Sequence, residues 1–322
     1  MSSLSVTASR RPAGDRVVGR LEAAARDFGL GGIGLPIEAL VRASLEQAQG
    51  DLSLASNRLQ PGGLPFEWSF AASDPEALRF ELQPFDPALE PGLRIEHSAD
   101  LLSTMISDQY SDELAACFRE TVEGAIPGPG PALEFGAFAG FVLHPRRRPE
   151  LKLYVESGPG FDDLAVAGST LLFRSVSAGE AGLCGRDYHL CGDGLRLMDL
   201  EGICERLGIG HRLPALAVAV LDMTGRDFHL PPRSALLGIR NRDSFGELKV
   251  ELLVDDAVER EGLAWRIEQL LAPEAIRPFR KWCSLAAPAA SIEDLIRVVS
   301  LRASRNQPIS VSVYAAEKGT MR

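Results

Sequence analysis

Leu151-Lys152-Leu153-Tyr154-Val155-Glu156 is a strand with two chemically different faces. Side chains alternate along a strand, so Leu151, Leu153 and Val155 share one face and Lys152, Tyr154 and Glu156 the other. Phe66-Glu67-Trp68-Ser69-Phe70, Leu78-Arg79-Phe80-Glu81-Leu82, Leu248-Lys249-Val250-Glu251-Leu252 and Ile309-Ser310-Val311-Ser312-Val313-Tyr314 repeat the pattern. Helical sequence flanks each of them. What lies over the charged face decides both fold and function.

Working outward toward the N-terminus, Asp15 to Phe28 carries a helical stripe of Val17, Val18, Leu21, Ala24 and Ala25 closed by Gly29, and Leu35 to Gln49 reads as a second helix. The turn Gln60-Pro61-Gly62-Gly63 introduces strands over Phe66 to Ala71 and Ala77 to Gln83. The order then repeats. Ser98 to Tyr110 and Ser111 to Ile126 are predicted helices, the second with a serine N-cap and acidic first turn. The run Pro127-Gly128-Pro129-Gly130-Pro131 stops it, and strands over Ala132 to Leu143 and Leu151 to Ser157 follow, joined by a turn holding Arg146-Arg147-Arg148.

The remainder is less regular. Phe161 to Ser177 fits helix or strand equally. Leu195 to Leu207 is a predicted helix, Ala215 to Asp222 a predicted apolar strand, and Leu236 to Arg240 and Glu247 to Val254 predicted strands. A helix from Asp255-Asp256 to Leu271, a helix over Ile292 to Ser304 and a closing strand over Pro308 to Glu317 complete the reading. Trp265 and Trp282 are expected in helix packing, and Trp68 on the apolar side of its strand.

The chain has 322 residues, 45% hydrophobic and 24% charged, enough to bury a sizeable core. Its net charge of -10 argues against a broad nucleic-acid surface while leaving room for a local basic pocket. No apolar run approaches the roughly 20 residues needed to cross a bilayer. The Ser/Arg-rich start lacks an apolar signal core, so residues 1–14 are expected to be a disordered tail on a cytoplasmic protein, with 15–322 forming one domain. Five widely spaced cysteines suit free thiols better than a disulfide framework, and Cys184, His189 and Cys191 lack the second ligand pair a zinc site needs.

Every helix has an apolar stripe to bury, so helices must cover the apolar sheet face. The opposite face admits two architectures: an α+β layer whose charges are simply wet, or a closed antiparallel barrel with a polar, solvent-filled lumen of about nine or ten strands. The mixture of Arg, Lys, Tyr and Glu favours the lumen. There Arg79, Lys152, Lys249 and Arg240 can converge on a polyanion such as diphosphate. Tyr154 and Tyr314 can shield the carbocation that diphosphate departure leaves, and Glu67 can accept a hydrogen bond from an attacking N–H.

Leu64-Pro65-Phe66-Glu67-Trp68-Ser69-Phe70 resembles the first-strand motif of the ABBA-fold aromatic prenyltransferases, in which a Pro-x-Glu-x-Ser stretch places a glutamate on the indole N–H. Leu78-Arg79-Phe80 resembles the following strand with its diphosphate-binding arginine, and Lys152-Leu153-Tyr154 the Lys-x-Tyr strand that grips diphosphate. The length is similar to that of compact bacterial members, including cyanobactin peptide prenyltransferases. The resemblance implies repeated ααββ units and a helix-ringed barrel. It also implies a monomer moving an isoprenoid, dimethylallyl favoured, from its diphosphate to an indole or other nucleophile, within a peptide in some members. It implies no tightly bound cofactor and leaves magnesium dependence open. Two departures stand out: only Tyr110, Tyr154, Tyr188 and Tyr314 are available as shields, and Glu247-Leu248-Lys249-Val250-Glu251 keeps only the lysine of an expected Arg-x-Lys-x-Tyr strand, with Arg240 and Arg242 as candidate replacements. The rival function is a non-catalytic barrel holding a peptide or apolar ligand.

Other motifs carry less. No glycine-rich nucleotide loop lies between a strand and a helix, Asp162-Asp163 and Asp255-Asp256 read as isolated pairs, and the histidines form no hydrolytic triad with a Gly-x-Ser-x-Gly elbow.

Overall fold

The computed structural model describes residues 13–46, 66–84, 89–126, 133–157, 166–225, 229–242, 245–288 and 290–316. The expected tail up to residue 12, the end of the second helix, Leu64-Pro65, the turn at 60–63, the Pro/Gly run at 127–131 and Asp162-Asp163 lie outside the described residues. Helices α1 (Ala13–Asp27) and α2 (Leu35–Glu46) precede strands β1 (Phe66–Ala71) and β2 (Leu78–Leu82). Helices α3 (Pro91–Gln109) and α4 (Asp112–Glu123) precede β3 (Ala137–His144) and β4 (Arg147–Glu156). A hairpin, β5 (Ser169–Gly179) and β6 (Gly182–Cys191), follows directly. Helices α5 (Glu201–Arg206) and α6 (Leu213–Thr224) then lead to β7 (Ala235–Arg242) and β8 (Phe245–Leu253), and α7 (Leu263–Leu270) and α8 (Pro273–Ala286) to β9 (Ile296–Ser304) and β10 (Ser310–Ala316).

The ten strands form one closed antiparallel barrel in which β1 pairs with both β2 and β10. Closure overturns the open α+β layer, because the charged faces turn inward and no sheet edge remains. The outward faces make the core. Trp68, Phe80, Phe141, Leu151 and Leu153 are buried there, and Phe279 and Trp282 of α8 pack on Phe70 with ring centroids 5.3 and 5.9 Å away. Arg20 of α1 lies over the Trp68 ring at 5.3 Å while its guanidinium donates to the carbonyls of Leu285 and Ala286, joining the first helix to the end of the last. The α3/α4 pair lies on β3 to β6, so one helix pair serves two hairpins and the ααββ order is broken once, at β5/β6.

Several expectations are corrected. Ala215–Asp222 is not a strand but part of α6: Leu213, Leu216, Ala217, Val220 and Met223 are buried at 3.6 spacing, with Ala219 and Thr224 beside them, while Val218 is 58% exposed. Alanine favours a helix there, Pro214 fits the first turn, and Gly225 ends it in the left-handed region at φ 58°. Ile292–Ser304 is not a helix. A short 3₁₀ turn at Ile292–Asp294 leads into β9, where Val299, Leu301 and Ala303 face the core; apolar Val298 on the inner face hides the alternation. The helix expected from Asp255 begins only at Leu263, and Asp255 itself has φ 80°. Trp282 is buried as expected, but Trp265 is 64% exposed and packs little. Arg147 and Arg148 already belong to β4 rather than to a turn.

Candidate functional site

Along β4 the inward side chains are Lys152 and Tyr154, two residues apart and so about 6.6 Å apart along the strand. The strands that run parallel to β4 repeat the step: Arg79 then Glu81 on β2, Arg186 then Tyr188 on β6, Lys249 then Glu251 on β8. The lumen is therefore layered. Arg79, Lys152, Arg186, Arg240, Lys249 and Arg302, each from a different strand, line one space with about 920 Å³ free of atoms. Glu67, Glu81, Phe138, Tyr154, Phe173 and Glu251 line an adjoining space of about 490 Å³, and Glu81 and Tyr314 border both.

One glycine, Gly238, makes room for these side chains. A Cβ on Gly140, opposite Lys152, would stand in ordinary contact, 3.4 Å from the Tyr154 ring and 3.6 Å from Glu81. A Cβ on Gly238 would meet Arg186 and Tyr188 at 3.0 Å.

The cations are held by internal counter-charges. Lys249 Nζ donates to Glu251 Oε1 at 2.9 Å and to Tyr314 Oη at 3.0 Å. Burial opposes its charge, yet Glu251 and the tyrosines outweigh burial and hold the ammonium above its usual range. Arg186 ion-pairs with Glu247, whose other oxygen lies 3.6 Å from Arg302. Enclosure, and then repulsion from Arg186 and Arg79, pull Arg302 down to about 10. Arg79 donates to Asp74 at 3.1 Å, and Asp74 also holds Arg147 at 2.8 Å at the barrel mouth.

The second layer is aromatic and acidic. The rings of Phe173 and Tyr188 stack at 4.4 Å, and Tyr154 stands 5.8 and 6.0 Å from them. Tyr154 donates to Glu81 Oε1 at 2.7 Å. Enclosure raises the Tyr154 and Tyr314 hydroxyls above their usual range, so both remain protonated phenols. Glu67, 4% exposed, pairs in register with Glu81 and faces the same space.

All seven side chains expected at the site thus line the lumen: Arg79, Lys152, Arg240 and Lys249 in the cationic layer, Glu67 and Tyr154 in the aromatic layer, and Tyr314 between them. Glu156, on the same face of β4, does otherwise; its carboxylate accepts the N–H groups of Glu134, Phe135 and Gly136 at 2.7 to 2.9 Å and pins the entry to β3. Tyr110 lies outside, donating to the Pro149 carbonyl at 2.6 Å. The sequence does not single out Arg186, Glu81, Glu251, Phe138, Phe173 or Arg302 as site residues, and Tyr188, one of the four tyrosines available as shields, is given no place there. Arg186-Asp187-Tyr188 has the Lys152-Leu153-Tyr154 spacing and supplies the arginine and tyrosine that β8 lacks. Its outward residue, Asp187, pairs with Arg174 of β5 at 3.0 Å instead of joining the apolar core, so no amphipathic alternation marks the strand.

Among the described residues, no group of three or more His, Cys, Asp or Glu side chains could hold a metal ion. All five thiols are free. No described helix is long and apolar enough to cross a membrane.

No family model matches the sequence, and no curated protein matches it significantly. Solved structures do match its shape. A 6-dimethylallyltryptophan synthase from Micromonospora olivasterospora, in complex with DMASPP and Trp, superimposes with a TM-score of 0.73 over 94% of this chain and 96% of that one, at 15% identity. A 5-dimethylallyltryptophan synthase from Streptomyces coelicolor gives 0.61 over 96% and 99%, at 18% identity. The prenyltransferase PriB, in a ternary complex with L-tryptophan and dimethylallyl thiolodiphosphate, gives 0.67 over 94% and 95%, at 15% identity. The fold is that of the ABBA aromatic prenyltransferases.

Proposed function

We propose that this chain transfers a dimethylallyl group from its diphosphate to an indole or similar electron-rich nucleophile. The observation that carries this reading is the layering of the lumen, with a cationic level directly against an aromatic one. Arg79, Lys152, Arg186, Arg240, Lys249 and Arg302 grip the diphosphate, the arginines bidentately and the lysines as point charges. The prenyl chain then extends into the space lined by Phe138, Tyr154 and Phe173. As the C–O bond breaks, the faces of Tyr154, Tyr188 and Tyr314 stabilise the allylic cation and keep water from it. Glu67 accepts the acceptor's N–H, orients it and draws off the positive charge that grows as it attacks.

Solved structures of the same fold support this reading, since they are complexes of dimethylallyl donors with tryptophan or, for NotF, of DMSPP with brevianamide F. An acceptor carried within a peptide belongs to the same proposal. So do action as one domain over 15–322, action as a monomer, for which the edgeless barrel is the physical support, and a cytoplasmic setting, with which five free thiols accord. Six side-chain cations supply the counter-charge, so turnover should survive EDTA.

The test is incubation with dimethylallyl diphosphate and a panel of indole, phenol, imidazole and guanidine acceptors, read by mass. A mass gain of one prenyl group on an indole is expected. No gain on any acceptor, together with no protection by diphosphate against heat unfolding, refutes the proposal; protection without product favours a non-catalytic ligand-binding barrel. Lys152→Ala should abolish turnover and leave the fold intact. A fully active variant removes Lys152 from the site.

A further inference from the structure

Glu81 is a lumen acid to which the proposed reaction gives no task. It sits beside Glu67 across the β1/β2 pairing and faces both the cationic and the aromatic space. Tyr154 donates to its Oε1 at 2.7 Å, and the same phenol oxygen lies 3.5 Å from Lys152 Nζ. Lys152, Tyr154 and Glu81 therefore form a chain that begins where the diphosphate would sit and ends where the acceptor would sit.

The other groups turned toward Glu81 do not compete for its role. Glu67 comes from β1, Lys249 and Glu251 from β8, and Tyr314 from β10; β3 contributes only Gly140 at the point of closest approach. The charge of Glu251 is already answered by Lys249 at 2.9 Å. The hydrogen-bond donor on Glu81 is a neutral phenol, which leaves the carboxylate able to take a proton. Enclosure raises its carboxyl above its ordinary 4.5, against the opposing pull of Lys152 and Tyr154.

We propose that Glu81 is the base that removes the proton the acceptor loses, and that Tyr154 and Lys152 link it to the departing diphosphate. The assignment rests on the prenyl-transfer reading. The donor's C–O bond breaks with its electron pair going to diphosphate, and an electron pair of the acceptor forms the new bond to the prenyl carbon. The acceptor's N–H or C–H pair then returns to it as the proton passes to Glu81. Lys152 passes one of its protons to diphosphate and takes one from Tyr154, and Tyr154 takes the one that Glu81 received, so diphosphate leaves protonated and the three residues end as they began. Nothing beyond donor and acceptor is consumed.

The test compares wild type, Glu81→Gln and Glu81→Ala on an acceptor that the wild type prenylates. In both variants kcat should fall by about 100-fold or more, the scale of a lost general base. The acid limb of the pH profile should vanish, binding of inorganic diphosphate should hold within about twofold, and formate should partly restore Glu81→Ala. A Glu81→Gln enzyme within about threefold of wild-type kcat overturns the proposal. So does a loss that tracks weaker diphosphate binding and resists formate, since that describes a structural role. A wild type with no product on any acceptor is a separate result, which refutes prenyl transfer and the base with it.

Discussion

Lys249→Met isolates what the lumen charges do for the fold. Lys249 is 5% exposed and its partner Glu251 7%, with 2.9 Å between ammonium and carboxylate and the Tyr314 hydroxyl 3.0 Å from the nitrogen. Methionine keeps the length and apolar stem and removes the charge, leaving the Glu251 carboxylate enclosed without its cation. Breaking a buried pair by removing one partner costs about 3–5 kcal/mol. Here the adjoining space admits solvent to the carboxylate, so the cost should sit near the lower end, about 3 kcal/mol or roughly a 150-fold drop in the folding constant. Urea unfolding followed by the fluorescence of the buried Trp68 and Trp282 measures it. Lys249→Met/Glu251→Leu should recover most of the loss, because no charge is then left unanswered, and the cycle should give a coupling of about 1.5 kcal/mol or more. A single variant that loses less than about 1 kcal/mol, as an exposed pair would, refutes the reasoning, and so does simple additivity. Diphosphate should also protect the double variant less than the wild type, since a donor-binding cation is gone.

Two further outcomes follow from the same layer. Arg302 is pulled down to about 10 by enclosure and by Arg186 and Arg79, so its charged form is the disfavoured one and its cost persists at every pH below that value. Arg302→Met should therefore stabilise the free protein by about 1–3 kcal/mol while halving or worse the gain from added diphosphate, read by thermal unfolding; a destabilised variant refutes it. Glu81 has a carboxyl raised above 4.5, so its stabilising contribution is complete below that pH and is lost as pH rises through the raised value. Glu81→Gln should match wild type in melts near pH 4 and exceed it near pH 7, and a wild type that gains on the variant across that interval overturns the assignment.

The strand at Leu151–Glu156 shows how much was legible in sequence. Its alternation, with that of β1, β2, β8 and β10, gave a two-faced sheet, because an apolar outer face packed on helices leaves a period of two in the residues themselves. The same alternation put Glu67, Arg79, Lys152, Tyr154, Lys249 and Tyr314 on one face. Period two failed where the outward position was polar, as at Asp187, or the inward one apolar, as at Val298; both strands were lost to sequence reasoning, and with them Arg186, Tyr188 and Arg302. It also misled in α6, where apolar residues nearly all round the helix leave no period to read.

Sequence by itself determined which side chains share a face, since that depends only on backbone geometry. Closure of the sheet depends on pairing β1 with β10, two strands at opposite ends of the chain, and no local pattern records that bond. The tertiary structure alone decided that the cations form one level and the tyrosines and glutamates the next, because the level of a residue is set by register between strands. It also decided that Glu81 is tied to Lys152 through Tyr154, a contact between β2 and β4 across the intervening β3.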